Sequence, residues 1–296
     1  MMFRAFIFGH MMEGNMQKII LLIVIFTLSI ECHFQEPNIS TELQKREQDT
    51  VLDAMNIDAY TLHKVNTIIQ DISNNEDLSQ SEKISLISAR FLGTPYQGNR
   101  LYGSDEVLEE LVVDFRGLDC FTYLDYVVAL QTSHSQDDFL KKIVKTRYIN
   151  GDISFYNRKH FFTDWANREH KIAEDITAQL SPCAITCTKS LNEKAKNKQY
   201  LPGIPIVSRS ITYLPSSAVD NTLVNKLKSG DLIGIYTPLA GLDVSHVGFF
   251  IMTSQGPVFR HASSSKSNQS VVDSPFIPYL SKYPGIIALR VKALRP

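Results

Sequence analysis

Two apolar stretches separated by a short turn-forming segment restrict the fold of the C-terminal third of this chain. The first runs from His246 to about Met252 and the second from Val258 to about Ala262, with Thr-Ser-Gln-Gly-Pro between them. Such runs on either side of a Gly-Pro turn are typical of an antiparallel hairpin. A third apolar run, residues 232–236, follows a Ser-Gly-Asp turn and predicts another short strand. The sequence therefore predicts an antiparallel β-sheet in this region.

The predicted hairpin brings two histidines together. Opposite positions in an antiparallel pair have a constant sum, so a turn centred near Ser254 or Gln255 places His246 close to His261, within a residue or two of register. The two rings would then lie at one end of the sheet. Paired imidazoles suit nucleophilic catalysis, in which one ring accepts the proton of the nucleophile and the other ring orients the first.

Cys120 is a candidate nucleophile for this pair. It lies in the segment of residues 117–124, Gly-Leu-Asp-Cys-Phe-Thr-Tyr-Leu, where Asp119 is a favoured N-cap residue. The apolar residues at helical spacing after it are Phe121, Leu124, Val127 and Val128. A cysteine at a helix start faces unpaired backbone N–H groups, which stabilise a thiolate and can receive an oxyanion. We therefore expect a lowered thiol pKa at Cys120.

Each of these residues also has a purely structural interpretation. An isolated cysteine is commonly a small buried side chain, and an isolated histidine at a strand end commonly bonds a backbone carbonyl. The joint presence of Cys120, His246 and His261 in one predicted helix–sheet arrangement favours the catalytic interpretation. Further candidates for substrate or oxyanion binding are Tyr96, Asp119, Ser245 and Trp165. The alternative for Tyr96 is a core aromatic with an exposed edge, and for Trp165 an ordinary core position.

Several sequence blocks, in the order in which they occur, resemble a known group of enzymes. The NlpC/P60 cell-wall hydrolases share the order of a cysteine, Gly-Asp-Leu, His-Val-Gly-Phe and His-Ala-Ser, which here begin at Cys120, Gly230, His246 and His261. The blocks Phe-Leu-Gly-Thr-Pro-Tyr at residues 91–96, Leu-Val-Val-Asp at 111–114 and Lys-His-Phe-Phe-Thr-Asp-Trp at 159–165 resemble the DUF1460 branch, whose members are N-acetylmuramoyl-L-alanine amidase-like. The resemblance covers residues from about 84 to the C-terminus.

The resemblance implies a papain-like NlpC/P60 fold of the α+β class, with helices packed on an antiparallel sheet and the site at their junction. Residues from about 131 to 221 are too many for a connecting loop, and we expect them to form a helical or irregular insertion. The implied activity is an amidase that cuts between N-acetylmuramic acid, in its anhydro form, and L-alanine of peptidoglycan fragments. Cys120 would be the nucleophile, His246 the general base and His261 the orienting residue, with no metal or organic cofactor.

Three other functions are alternatives. Many NlpC/P60 relatives use this architecture to cut the D-glutamyl-diaminopimelate bond of the stem peptide. A catalytically inactive muropeptide-binding module is the non-enzymatic alternative, which the intact set of Cys120, His246 and His261 disfavours. A papain-like acyltransferase acting on lipid would use similar residues, but relatives of that kind usually place the histidine before the cysteine.

Composition supports a globular enzyme and excludes some partners. A chain of 296 residues with 44% hydrophobic content can bury a large core, and its net charge of -1 gives no basic footprint for nucleic acid. Cys183 and Cys187 have a Cys-x-x-x-Cys spacing that does not match a zinc site, so a metal is not expected. A local disulfide and two reduced thiols are both compatible with this spacing.

The N-terminal region differs from the rest of the chain. Lys18 precedes an apolar run, residues 19–30, which has the length found in signal peptides and is short for a membrane-spanning helix. We expect residues 1–32 to be an upstream extension and signal peptide, and the protein to be periplasmic or secreted. Met16 is an alternative start, and an uncleaved anchor is the alternative to cleavage. Membrane contact is expected only through this segment.

The residues that follow the apolar run connect it to the predicted catalytic domain. Cys32 is a candidate for lipidation, although Glu31 before it does not supply the small residue that a lipidation site requires. Residues 33–55 are predicted to be a polar tether and residues 56–296 a single catalytic domain. Its first helices are indicated by apolar residues at helical spacing: Leu62, Val65, Ile68, Ile69 and Ile72, then Ile84, Ile87 and Phe91.

Overall fold

The computed structural model describes residues 57–75 and 77–292. The predicted signal segment, the alternative start at Met16, Cys32 and the predicted tether lie outside the described residues, and the domain boundaries stay predictions. The described residues belong to one compact unit. None of the helices within residues 57–75 and 77–292 has the length and apolar character needed to cross a membrane.

Eight α-helices lie within the described residues. They are α1 (Ala59–Ser73), α2 (Gln80–Ala89), α3 (Cys120–Leu130), α4 (Gln136–Arg147), α5 (Asp164–Asn167), α6 (Thr177–Leu180), α7 (Asn221–Val224) and α8 (Phe276–Leu280). The first two helices confirm the prediction from apolar spacing, except that Phe91 lies beyond the end of α2, in the turn that follows it. α1 buries Val65, Ile68, Ile69 and Ile72, whereas Leu62 at the edge of this face is partly exposed.

Ten strands are described, and eight of them form one antiparallel sheet. The strands are β1 (Ala173–Asp175), β2 (Ile185–Leu191), β3 (Glu193–Ala195), β4 (Lys198–Gln199), β5 (Val207–Pro215), β6 (Leu232–Tyr236), β7 (Val244–Thr253), β8 (Gly256–Ser263), β9 (Ser270–Pro275) and β10 (Gly285–Val291). The order is β2-β5-β10-β6-β7-β8-β9, with β1 paired to the last residues of β10. β3 and β4 form a separate two-stranded sheet. The fold is α+β, as the sequence predicts.

The main sheet separates two hydrophobic cores. Alternate residues of a strand point to opposite faces, so Phe249 of β7 joins the core under α1–α4 and Phe250 joins the core under α6–α8. In the first core the ring of Tyr123 on α3 meets Phe249 edge-on, with centroids 5.4 Å apart. In the second core Phe276 of α8 lies 4.9 Å from Phe250. This packing holds α3 and α8 on opposite faces of β7.

The prediction that residues 131–221 form a helical or irregular insertion is wrong in part. This segment begins with α4, but it also contains β1 to β5, and three of these strands belong to the main sheet. β2 shows the physical reason. It is an edge strand whose Thr, Lys and Ser side chains are mostly exposed or partly exposed, so it lacks the continuous apolar run that marks a strand buried on both faces.

Candidate active site

The sheet opens between β7 and β8 at one end. The two strands pair from Thr253 and Gly256 at the turn as far as Phe249 and Arg260, and their register ends there, although β7 continues beside β6 and β8 beside β9. Gly248 is the first residue past the last pair. A Cβ at this position would lie 2.7 Å from the Arg260 carbonyl oxygen, so glycine lets the strands approach closely before they part.

α3 begins at this opening, with Cys120 as its first residue. Asp119 caps the helix, because its carboxylate accepts the Thr122 amide at 2.8 Å and the Thr122 hydroxyl accepts the Asp119 amide at 2.9 Å. The predicted N-cap and helix start are therefore confirmed. The backbone amide of Val247, which β8 does not pair at this position, faces the Cys120 sulfur.

The pKa of the Cys120 thiol is raised to about 12, so the sequence-based expectation of a lowered pKa is wrong. Burial is the largest cause, because it disfavours the charged thiolate, and the Asp119 carboxylate adds to it. The backbone N–H groups of Val247, Cys120 and Phe121 lower the pKa, but by less. The resting thiol is therefore protonated at neutral pH, and a base must remove its proton before it can attack.

The side chains of His246 and His261 are hydrogen-bonded to each other. His246 Nε2 lies 2.7 Å from His261 Nδ1, and His261 Nε2 lies 3.1 Å from the Ser274 hydroxyl of β9. The predicted proximity of the two histidines is confirmed. The contact is diagonal, because extending the register by one position past its last pair, Phe249 and Arg260, would set Gly248 rather than His246 opposite His261. Since its Nε2 is occupied, His246 has only Nδ1 left to interact with another group.

Burial keeps both imidazoles neutral at pH 7. It lowers the pKa of His246 to about 4 and that of His261 to about 3, with the charge of His246 contributing to the second shift. His261 is 1% exposed and packs against the rings of Phe259 and Tyr279, with centroids 4.6 and 4.9 Å away. His246 is thus a neutral imidazole, and the His261 ring to which it is hydrogen-bonded is held in place by aromatic packing.

The structure brings two of the four further candidates to the thiol. Tyr96 lies beside Cys120: its backbone bridges Leu118, and the charges of Cys120 and Asp119 contribute, after burial, to a raised pKa of its phenol. Asp119 adjoins the thiol, with its carboxylate engaged in the helix cap. Ser245 is exposed, and its hydroxyl donates to a backbone carbonyl of β6 at 3.4 Å.

Trp165 does not line this site. Its side chain is 1% exposed and belongs to the core between the sheet and α1–α4. A side chain that is enclosed in this way offers no surface to a substrate. The structure therefore assigns Trp165 to the core, which is the alternative that its sequence context allowed.

Two residues of the site carry no sequence signal. Ser274 contacts His261, and Tyr279 packs on the same ring while its hydroxyl accepts from that of Tyr283 at 3.4 Å. Burial raises the pKa of Tyr279, and the charge of Cys120 adds to this shift. Neither residue belongs to a motif or a clear periodicity. They reach the site because β9 and α8 fold back over β8.

The structure decides between the two interpretations of the remaining cysteines. Cys183 and Cys187 are both free thiols, the first exposed and the second partly buried. The Cys187 sulfur lies 3.5 Å from the Tyr236 hydroxyl. The alternative of two reduced thiols is therefore the one that the structure supports.

The raised thiol pKa predicts slow alkylation at neutral pH. In the ligand-free protein, Cys120 is expected to react with iodoacetamide more slowly at about pH 7 than the exposed Cys183. Its rate is expected to keep rising with pH, because the thiolate fraction grows up to the pKa of about 12. Peptide mass spectrometry of time courses at several pH values measures both rates. A Cys120 rate that levels off near neutral pH would instead indicate a preformed thiolate–imidazolium pair.

Comparison with known proteins identifies a family whose sequence model matches this chain. The family model described as AmiA-like, N-acetylmuramoyl-L-alanine amidase-like, matches residues 86–286, which include Cys120, His246 and His261. Among curated proteins, no match is found.

Three similar solved structures come from Bacteroides and Legionella species. An N-acetylmuramoyl-L-alanine amidase from Bacteroides uniformis is 26% identical, with a TM-score of 0.63, over 72% of this chain and 99% of that one. A Legionella pneumophila protein of the DUF1460 family is 25% identical, with a TM-score of 0.67, over 81% of this chain and 98% of that one. A putative xylanase from Bacteroides fragilis is 27% identical, with a TM-score of 0.59, over 69% and 99%. The chain belongs to the N-acetylmuramoyl-L-alanine amidase-like family, DUF1460.

Proposed function

We propose that this protein is a cysteine amidase of the papain-like NlpC/P60 type, which hydrolyses the bond between N-acetylmuramic acid and L-alanine in anhydro-muropeptide fragments. The observation that carries the proposal is the position of the Cys120 thiol at the start of α3, where the sheet opens beside the hydrogen-bonded pair of His246 and His261. A thiol, a neutral imidazole and a group that orients the imidazole are the parts that cysteine hydrolases use.

The proposed reaction begins with the transfer of the thiol proton to Nδ1 of His246 as the Cys120 sulfur attacks the lactyl carbonyl carbon. The charge that develops on the carbonyl oxygen is stabilised by backbone N–H groups at the start of α3 and by the Val247 amide, which face the sulfur. The imidazolium of His246 then protonates the amine of L-alanine, and the stem peptide leaves. Water, deprotonated by His246, hydrolyses the thioester and releases the sugar carboxylate and the thiol.

The choice of bond rests on the relatives. The Bacteroides uniformis protein is named for cleavage at L-alanine, and its chain is covered almost completely. A D-glutamyl-diaminopimelate endopeptidase would use the same thiol and imidazoles, so this alternative is decided by the products alone. The presence of Cys120, His246 and His261 in one chain, with the two imidazoles hydrogen-bonded, favours an enzyme over a module that only binds muropeptides.

A glycosidase, which the Bacteroides fragilis relative is proposed to be, has different chemical needs. Glycosidases generally place two carboxyl groups on either side of the bond that they cut. The candidate reactive groups near the opening of the sheet are instead the Cys120 thiol at the start of α3 and the hydrogen-bonded pair of His246 and His261, and the Asp119 carboxylate next to Cys120 is engaged as a helix cap. The geometry therefore supports amide hydrolysis over cleavage of a sugar chain.

We further propose that the protein is exported and acts in the periplasm or outside the cell. Support comes from the apolar run of residues 19–30 after Lys18, which suits a signal peptide. Peptidoglycan fragments are the substrates that the family implies.

Product analysis tests the proposed bond. The purified protein is incubated with an anhydro-muropeptide that carries a full stem peptide, and the products are identified by mass spectrometry. Free anhydro-disaccharide together with an intact stem peptide is the expected result. Cleavage within the peptide would move the assignment to an endopeptidase, and an unchanged substrate would contradict the proposed substrate.

Replacement of His261 by glutamine is expected to reduce activity without abolishing it. The glutamine amide can still hydrogen-bond to His246, but it lacks the rigid ring that Phe259 and Tyr279 hold in place. We expect kcat to fall by roughly 10- to 100-fold, the scale of one or two hydrogen bonds. His261→Ala serves as the comparison and should lose more, because no side chain then orients His246. Equal activity of both variants and the wild type would remove His261 from the mechanism.

A further inference from the structure

Ser274 ends a chain of three hydrogen-bonding side chains that starts at His246. The Ser274 hydroxyl lies 3.1 Å from His261 Nε2, and His261 Nδ1 lies 2.7 Å from His246 Nε2. In the β8–β9 register, Ser274 is opposite Phe259, whose ring stacks on His261 with centroids 4.6 Å apart. The strand pairing therefore fixes the hydroxyl at the edge of the His261 ring.

The chain permits only two arrangements of protons. Both imidazoles are neutral at pH 7, so each ring carries one N–H, and a hydrogen bond between them needs one donor and one acceptor. In the first arrangement, His246 donates through Nε2 to His261 Nδ1, and His261 donates through Nε2 to the Ser274 oxygen. In the second, every donor and acceptor is reversed, and the Ser274 hydroxyl donates.

The two arrangements differ in what they leave at His246 Nδ1, the atom that accepts the thiol proton in the proposed reaction. In the first, His246 Nδ1 is a free lone pair and can accept the Cys120 proton. In the second, His246 Nδ1 carries its own hydrogen and cannot act as a base. Because a hydroxyl oxygen accepts as well as donates, Ser274 can complete the first arrangement, which a carbon side chain at that position could not do.

We propose that Ser274 is a positioning residue, which accepts a hydrogen bond from His261 Nε2–H and so stabilises the tautomer of His246 whose Nδ1 is free for the Cys120 thiol, because without this acceptor the buried N–H of His261 would be unpaired. The inference rests on the proposed function, in which His246 is the general base. It adds a fourth group to the thiol and the two imidazoles, and it gives the buried edge of His261 a chemical role. His261 is 1% exposed, so water cannot easily take the place of the hydroxyl.

Nuclear magnetic resonance of protein labelled with ¹⁵N-histidine tests this proposal directly. Long-range ¹H–¹⁵N spectra distinguish the two neutral tautomers of each ring, and His261→Gln identifies the His261 signals. Wild-type protein at neutral pH is expected to show His246 and His261 both protonated at Nε2. Wild-type His246 protonated at Nδ1 would overturn the proposal, whether or not the protein cleaves muropeptides.

Three variants extend the test to turnover. Ser274→Ala is expected to give mixed or reversed tautomers and a kcat roughly tenfold lower at nearly unchanged KM, the scale of one hydrogen bond. Ser274→Thr keeps the hydroxyl and should restore both the spectrum and kcat. Ser270→Ala is the matched control, because its hydroxyl lies on the same strand but bonds the Asn268 carbonyl outside the chain of side chains. Wild-type tautomers in Ser274→Ala would contradict the positioning role. If wild-type protein showed both rings protonated at Nε2 but cleaved no muropeptide, only the proposed function would be contradicted.

Discussion

Replacement of Cys120 by alanine is expected to abolish muropeptide hydrolysis, with kcat/KM lower by about 10³-fold or more. The substitution removes the sulfur that attacks the carbonyl, and no other nucleophile in this account can take its place. The fold should persist, because Asp119 and Thr122 still form the helix cap and Tyr123 still packs on Phe249. Kinetic assays on a muropeptide, together with circular dichroism, measure the two effects separately.

The chain offers a matched control for this substitution. Cys183→Ala removes an exposed thiol that lies outside the site, and it should leave activity unchanged. His246→Ala should lose about as much activity as Cys120→Ala, and the double variant should lose little more, because the two groups act as a unit. Substantial activity in Cys120→Ala would contradict the assignment of the nucleophile.

The second large effect is expected on stability. Asp125 of α3 forms an ion pair with Arg147 at 2.8 Å, and the two residues are 4% and 2% exposed. Arg147 also donates to the Val112 carbonyl at 2.7 Å, so it cannot easily turn towards solvent. Asp125→Ala leaves a buried guanidinium without its carboxylate, which typically costs about 3–5 kcal/mol. We expect a Tm lower by roughly 10 °C and weaker anchoring of the helix that carries Cys120.

Thermal and urea unfolding measure this effect. The matched control is Arg90→Ala, which removes an ion pair with Asp71 of similar length, 2.7 Å, whose arginine is 51% exposed. An exposed pair of this kind contributes at most about 1 kcal/mol. If Asp125→Ala and Arg90→Ala destabilised the protein equally, burial of the first pair would not have the energetic importance assigned to it.

The parts of the fold that the sequence predicts are those with local patterns. The β7–β8 hairpin, β6 and the start of α3 follow from apolar runs, turn residues and an N-cap within a few positions of one another. The site follows from them, because a hairpin of this length must bring His246 near His261. The resemblance of the sequence blocks to a known enzyme family predicts the same three residues, Cys120, His246 and His261.

Features that depend on contacts between residues far apart in the sequence cannot be predicted from local patterns. β10 is the last of the described strands but lies in the middle of the sheet, between β5 and β6, and the short strand β1 and the polar edge strand β2 are recognisable only beside their partners. The raised pKa of Cys120 also comes from contacts between residues far apart in the sequence. Local N–H groups lower it, but the burial that raises it comes from the packing of α3 on the opened sheet. Ser274 and Tyr279 join the site through β9 and α8, which no local motif connects with Cys120.

The most direct test of the proposed reaction is to trap the acyl-enzyme. Protein mixed with anhydro-muropeptide is quenched in acid at short times, and the intact mass and the modified peptide are then determined. The proposed reaction predicts a thioester on Cys120 whose added mass corresponds to the anhydro-disaccharide acyl group, without any amino acid of the stem. An adduct that retains stem amino acids, or turnover with the adduct on another residue, would contradict it.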